Sequence, residues 1–169
     1  MAPERIHVSL DPLGAREAAV FVSSALLVSH GVRGDSTAIA RLSKPRAWLL
    51  VSGKRVRHLR PDMDSSLGWV RAVITGNRRL GGAILSDLDL GAFRDCEAIC
   101  FHGAARALAI PLGSLRECVL LAYSSGSPVS VGCRAEYPLG PLPVHLGPVI
   151  GNVLLDRFSS GLQLLSRPG

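Results

Sequence analysis

Two short stretches of the sequence place a carboxylate close to a basic side chain. Asp62 stands two residues after Arg60, and Asp35 stands two residues after Arg33. A carboxylate can take a proton from a reacting group, and a guanidinium can stabilise the negative charge that develops as the proton leaves. The pattern predicts Asp62 and Arg60 as the leading catalytic pair and Asp35 as a second catalytic candidate.

A structural role is the alternative for each of these residues. Asp62 precedes a segment with helical spacing, where its side chain would cap the helix. Asp35 would form a turn or an ion pair with Arg33. His30, a third titratable candidate, is typical of a hydrogen-bonded residue at a helix end.

Basic side chains outnumber acidic ones. The sequence holds 19 Lys and Arg against 13 Asp and Glu, a net charge of +6 at pH 7, and only Lys44 and Lys54 are lysines. The planar guanidinium suits phosphate oxygens and stacks on bases, which favours an RNA partner. Arg55 and Arg57 form a predicted phosphate-facing strip, and Arg33 is a further predicted RNA contact. A solvated basic face, or a compositional preference for arginine, is the alternative.

The four cysteines do not form a metal-binding motif. Cys96 and Cys100 are four residues apart and His102 follows, but the second well-spaced pair that tetrahedral zinc needs is lacking. We therefore expect no metal site. Reduced, partly buried thiols are the expectation for all four cysteines, and disulfides are the alternative for a hyperthermophilic source.

The elements that would position these residues alternate between helix and strand. The spacing of apolar residues predicts helices over 14–28 and 64–74, a weak helix over 90–96, and strands over 47–52, 82–86, 97–101 and 119–123. Residues 54–60 suit a basic strand or loop, and a last helix or strand begins at Val153. The alternation predicts one α/β domain with a largely parallel sheet. Residues 124–151 are rich in Gly, Pro and Ser, and such loops beyond strand ends are common ligand sites.

Five motifs in order resemble those of a known family. They are Ser9–Asp11, Ser29–Asp35, Ser52–Asp62, Leu120–Gly126, and a closing set of Leu139–Pro141, His145 and Leu155–Asp156. Together they resemble the TrmY family of archaeal tRNA pseudouridine N1-methyltransferases in the SPOUT superfamily. The resemblance spans most of the chain and treats residues 1–169 as one SPOUT domain.

The resemblance implies a fold, a cofactor and partners. It implies an α/β fold with a C-terminal trefoil knot at about 119–160, S-adenosyl-L-methionine as methyl donor, tRNA as substrate, a homodimer and a cytoplasmic location. Independently of the resemblance, no apolar run reaches the roughly 18–20 uncharged residues that a membrane span needs, so we expect no membrane partner. The donor-binding positions that it implies are Leu121, Ser125, Gly126, Gly132, Leu139, Gly140, Pro141, Val144 and Val149. Their backbone groups would hold the adenine and ribose, because Gly and Pro keep the chain close and rigid.

The sequence also departs from the family pattern. Only the twelve residues 127–138 separate Gly126 from Leu139, where the family carries a longer loop with its own motif, and Gly132 lies in the nearest remnant. Two alternatives therefore accompany the N1-methyltransferase prediction. One is a degenerate, non-catalytic SPOUT-like RNA-binding protein, and the other is a ribose 2′-O-methyltransferase of the same class.

Overall fold

Helices and strands alternate along the chain, as the sequence predicts. The computed structural model describes residues 4–28, 31–57, 59, 62–76, 81–103, 105, 117–126 and 131–165. Within these ranges, three helices lie at α1 (Ala15–Leu26), α2 (Met63–Thr75) and α3 (Gly147–Leu165). The strands are β1 (Glu4–Ser9), β2 (Leu27–Val28), β3 (Gly31–Val32), β4 (Ser36–Arg41), β5 (Trp48–Ser52), β6 (Ala83–Ser86), β7 (Glu97–His102), β8 (Cys118–Ser124) and β9 (Ala135–Pro138).

Seven of these strands form one sheet in the order β6-β5-β4-β1-β8-β7-β9. The five strands from β4 to β9 in that order are parallel, whereas β5 is antiparallel to both β4 and β6. The predicted α/β class with a mostly parallel sheet is therefore confirmed. The knot depends on how the chain passes residues 106–116 and 127–130, which lie outside the described residues, and it stays a prediction.

Parallel strands give the sheet two chemically distinct edges. We call the edge at which they end the carboxyl edge, marked by Ser9, Arg41, His102, Ser124 and Pro138. The opposite edge, at which they begin, is the amino edge. Six-residue β1 spans about 17 Å at ~3.3 Å per residue, so side chains at the two edges of one protomer are far apart.

The helices pack on one face of the sheet. Side chains alternate along each strand, so Leu121 and Tyr123 of β8 join the main core with α1 and α3, whereas Leu120 and Ala122 belong to a second cluster. Short irregular segments cover the second cluster, including the 3₁₀ turn Leu90–Phe93 and residues around Cys133. The main core thus lies between the sheet and the three helices.

The expectation of reduced thiols is wrong. Cys96 pairs with Cys118, and Cys100 pairs with Cys133, so that no free cysteine remains. Parallel pairing of β7 with β8 and β9 brings these side chains together on the second face of the sheet. The sequence could not show this, because the register of the strands decides which cysteines meet.

Candidate functional site at the carboxyl edge

The loops that follow β7, β8 and β9 meet at the carboxyl edge. The Gly103 N–H donates to the Ser125 carbonyl at 3.3 Å, and the Leu139 N–H donates to the His102 carbonyl at 3.1 Å. A Cβ on Gly103 would stand 2.8 Å from the Ser125 oxygen, so this close approach requires glycine. The three strand ends are therefore joined by backbone hydrogen bonds into one surface.

Two acidic side chains stabilise this surface. Asp11 accepts the Ser125 N–H with both carboxylate oxygens, at 3.1 and 3.3 Å. Glu136 lies 3.3 Å from Nε2 of His102. The His102 side chain is 4% exposed, and its Nδ1 has no hydrogen-bond partner among the described residues. A buried polar atom of this kind is a costly feature that marks a candidate ligand contact.

The glycines of these loops leave the backbone accessible. A Cβ on Gly126 or Gly140 would meet nothing within 4 Å, and Gly140 has the left-handed φ of 67°. Pro141 follows at once and is exposed, whereas Val144 is buried at the base of the loop. Six of the predicted donor-binding residues are therefore brought together: Ser125, Gly126, Leu139, Gly140, Pro141 and Val144.

Three other predicted donor-binding residues lie elsewhere. Leu121 is in the middle of β8, with its side chain fully buried in the core. Gly132 precedes β9 and therefore lies toward the amino edge, beside Leu90 and Cys96. Val149 is in the first turn of α3 and its side chain is 46% exposed. The sequence motif could not place these three positions, and donor binding at the loops stays a prediction.

The predicted catalytic and RNA-binding residues that the structure describes lie at or near the amino edge. Asp35 directly precedes β4, and its carbonyl accepts the Arg5 N–H at 2.8 Å. Arg55 and Arg57 follow the end of antiparallel β5. Arg33 donates to Asp156 at 2.9 Å, so the ion pair predicted for this arginine forms with a different carboxylate from Asp35.

Asp62 has the capping role that was the alternative to catalysis. Its carboxylate accepts the Ser65 N–H at 2.9 Å at the start of α2. Nearby, Ser66 of α2 lies 3.1 Å from Ser23 in the last half of α1, which places this helix start toward the amino edge. Arg60 and His30, the other candidates, lie outside the described residues.

A buried polar network connects α3 to β1. We call it the α3 anchor, and it consists of Arg5, His7, Tyr123, Asn152 and Asp156. Arg5 is 4% exposed and donates to the Asn152 Oδ1 at 2.9 Å and to Asp156 at 2.6 Å. The sequence-based reasoning missed Arg5, His7 and Asn152, since their partners are about 150 residues away in the chain.

Asn152 fixes the proton positions in the α3 anchor. Its Nδ2 donates to two carbonyl oxygens at the end of α1, each at 3.2 Å, so its Oδ1 acts as the acceptor. His7 Nε2 lies 3.2 Å from this oxygen and must carry the proton. His7 Nδ1 is then unprotonated and accepts the Tyr123 hydroxyl at 2.7 Å.

Burial sets the charge states in this network. Burial first, and then the Arg5 guanidinium, lower the pKa of His7 to about 3. The imidazole is therefore neutral at pH 7. Burial raises the pKa of the Tyr123 hydroxyl well above its usual value, so it remains a donor. Burial also acts to raise the pKa of Asp156, but hydrogen bonds from Arg5 and Arg33 lower it overall, and the carboxylate stays charged.

Two glycines let α3 pack closely on the Tyr123 ring. A Cβ on Gly147 would overlap the ring carbons, and a Cβ on Gly151 would overlap the phenol oxygen. Tyr123 also stacks on Phe101 at a centroid distance of 5.1 Å. The helix that follows the Leu139–Pro141 loop is thus held firmly against the sheet.

The fold of this chain is similar to that of proteins with solved structures. No family model matches the chain, and no curated protein matches it in sequence. The chain is similar to the crystal structure of Archaeoglobus fulgidus Nep1 bound to S-adenosylhomocysteine, with a TM-score of 0.57 at 10% identity. The similarity covers 85% of this chain and 69% of the Nep1 chain. At this identity the likeness shows the fold.

The helices carry no sign of a membrane span. Among the described residues, none of the helices is both long and apolar enough to cross a bilayer.

Proposed function

We propose that this chain is an S-adenosyl-L-methionine-dependent RNA methyltransferase of the SPOUT class. The observation that carries the proposal is the convergence of the Ser125–Gly126 and Leu139–Pro141 loops at the carboxyl edge, in a fold shared with a protein crystallised with S-adenosylhomocysteine. In open α/β sheets, ligands bind beyond the carboxyl ends of the strands.

The residues at this edge fit such a donor. Open space beside the Gly126 and Gly140 backbones would admit an adenosine, and His102 has a buried nitrogen to offer. Glu136 and Asp11 bring negative charge toward a cationic sulfonium. When bound, the donor supplies an activated methyl group, while Asp11 and Gly103 keep the loops in place for it.

Calorimetric titration with S-adenosylmethionine and S-adenosylhomocysteine tests the donor site. Gly126→Val should weaken binding by about tenfold or more, an effect of ~1.4 kcal/mol, because its side chain fills the space beside the loop. Gly68→Val is the matched control, since Gly68 is exposed on α2 and a Cβ there also meets nothing within 4 Å. Absence of binding by the unaltered protein would exclude the proposed activity.

A homodimer is part of the proposal, and the separation of the two edges supports it. Asp35 lies at the amino edge and Asp62 lies toward it, whereas the donor loops of the same protomer lie at the carboxyl edge. A second copy could bring its amino edge to the site. Val149 and Val153 lie one turn apart on α3 and are 46% and 44% exposed, which suits an interface. Sedimentation of Val153→Asp against unaltered protein tests this, and equal masses would remove α3 from the interface.

The proposed target is N1 of pseudouridine in tRNA, with Asp62 and Arg60 as the leading catalytic pair and Asp35 as the second candidate. Asp62→Asn preserves an N-cap acceptor but removes a base, so it should abolish methylation while α2 remains folded. Mass analysis of nucleosides from treated tRNA gives the product. A methyl group on ribose would indicate the 2′-O-methyltransferase. Full activity of Asp62→Asn would show that Asp62 only caps α2 and has no catalytic role.

The second candidate function is a non-catalytic RNA-binding protein. Two contacts favour it: Asp62 caps α2, and Arg33 forms an ion pair with Asp156. Both residues therefore have structural roles, although Asp62 is proposed for catalysis and Arg33 for RNA binding. It predicts RNA binding without donor binding in the same titrations.

A further inference from the structure

A cavity of about 490 Å³ opens at the carboxyl edge, beside the strands β4 and β5. Arg41, Arg46, Trp48 and Asp87 line it, together with Pro12 from the segment after β1. Its volume lies within the ~300–1,000 Å³ of ordinary small-molecule sites. None of the motifs that suggested methyl transfer contains these four lining side chains.

Arg41 is held in place, yet most of its donors remain available. One of its nitrogens donates to the Leu10 carbonyl at 3.0 Å, and its Cζ lies 5.7 Å from the centre of the Trp48 ring. The Arg41 N–H is itself held by the Ser9 hydroxyl at 2.8 Å. Within the described part of the chain, no ion pair engages Arg41 or Arg46. A guanidinium has five N–H donors, so several can still meet an anion.

The chemistry of the cavity matches a ribonucleotide. Two guanidiniums suit a phosphate, and an arginine lying over a tryptophan forms a platform for a nucleobase. Asp87 is the one acidic group among the lining residues and can accept hydrogen bonds from ribose hydroxyls. An inorganic anion would use only the arginines, whereas the aromatic platform requires a planar ring.

The segment after β1 links the cavity to the proposed donor loops. Leu10, whose carbonyl holds Arg41, is followed by Asp11, whose carboxylate holds the Ser125 N–H. We propose that the cavity between Arg41, Arg46, Trp48 and Asp87 binds one nucleotide of the RNA next to the nucleotide that is modified. This inference rests on the proposed function for the identity of the RNA, but the binding itself does not need a methyl donor.

Fluorescence anisotropy with labelled pentauridylate, measured without donor at low salt, tests the proposal. Arg41→Gln should weaken binding about tenfold and lower the slope of log affinity against log salt by about one, because one phosphate contact is lost. Arg71→Gln, an exposed arginine on α2, is the matched control and should leave both values nearly unchanged. Equal weakening by the two variants would overturn the site in favour of diffuse charge attraction.

Tryptophan emission provides a second measurement. Trp48 and the buried Trp69 are the two tryptophans of the sequence. Pentauridylate should change the emission of the unaltered protein and of Trp69→Phe but not that of Trp48→Phe. A change that persists in Trp48→Phe would contradict the proposal. The protein could bind no S-adenosylmethionine and still lose pentauridylate binding selectively in Arg41→Gln. That result would support the nucleotide site and contradict the proposed methyltransferase activity.

Discussion

The two edges of the sheet use the same residue types for different purposes. At the amino edge, Arg5 and Arg33 both donate to Asp156, and Arg5 is almost completely buried. At the carboxyl edge, Arg41 and Arg46 line an open cavity instead. An arginine count therefore says little about RNA binding. The position of each arginine relative to a carboxylate decides whether it stabilises the fold or remains available to a ligand.

The same contrast applies to histidine. His7 has a partner on each ring nitrogen within the α3 anchor, whereas His102 has Glu136 on one nitrogen and an unpaired Nδ1 among the described residues. Complete pairing is typical of structural groups, and incomplete pairing in a buried place is typical of sites. We therefore expect changes in the α3 anchor to affect stability, and changes at the carboxyl edge to affect binding.

Acid should produce the largest effect on the α3 anchor. The pKa of His7 falls from 6.5 to about 3 on folding, so the unfolded chain binds more protons between these values and stability falls as pH decreases. The integrated loss in the free energy of unfolding from above pH 6.5 down to pH 3 is roughly 4 kcal/mol. Urea unfolding at several pH values measures it. His7→Gln, which does not titrate, should flatten the dependence between pH 6.5 and 4, and an unchanged curve would contradict the buried neutral imidazole.

Arg5→Met should produce the next largest loss. It removes the cation that pairs with Asp156 and the donor to Asn152, leaving both acceptors without this partner. We expect a loss of about 3 kcal/mol in the free energy of unfolding, at the low end for buried pairs because the Asp156 side chain is 46% exposed. Arg16→Met on exposed α1 surface should change it by less than about 0.5 kcal/mol. Similar values for the two would show that the network contributes little.

Gly151→Ala should destabilise the protein by about 2 kcal/mol, because the new Cβ displaces Tyr123 and disturbs its hydrogen bond to His7. Gly68→Ala in α2 is the matched control, since a Cβ there meets nothing within 4 Å. It should stabilise the helix by about 0.5–1 kcal/mol. If α3 packs as described, thermal unfolding will show a loss of stability for Gly151→Ala and a gain for Gly68→Ala.

Gly126→Val should leave the free energy of unfolding within about 0.5 kcal/mol of the unaltered protein, because the site is exposed. Its effect should be confined to donor binding. A large loss of stability would mean that the two edges are not separable into structural and binding regions.

The sequence predicted the helices and strands that are marked by continuous apolar runs or by regular apolar spacing. The continuous apolar runs of β7 and β8 gave strands in nearly the observed places. Helix α1 was predicted to extend two residues too far at its C-terminal end, because Leu27 and Val28 pair with β3 instead. By contrast, β1 was not predicted. Its Arg5 and His7 make one face polar, and that face is buried only because α3 supplies partners for it.

The candidate site was predictable in part. The Gly and Pro residues identified the loops around Gly126 and Gly140, since such residues mark turns that expose backbone. The contributions of His102 and Asp11 depend on strand register and on the meeting of distant loops. The cavity of Arg41 and Trp48 was missed for the same reason, because antiparallel pairing of β4 with β5 brings these two residues opposite each other.

The α3 anchor has a consequence for how the protein is made. Arg5 is separated from Asn152 by 147 residues and from Asp156 by 151 residues. At about 5–20 residues per second, a ribosome needs roughly 8–30 s to synthesise the interval. During that time the charged side chain has no way to satisfy its donors inside the core. We expect the Arg5 face of β1 to remain solvated until α3 emerges from the ribosome. The core between β1 and α3 would therefore form late in translation.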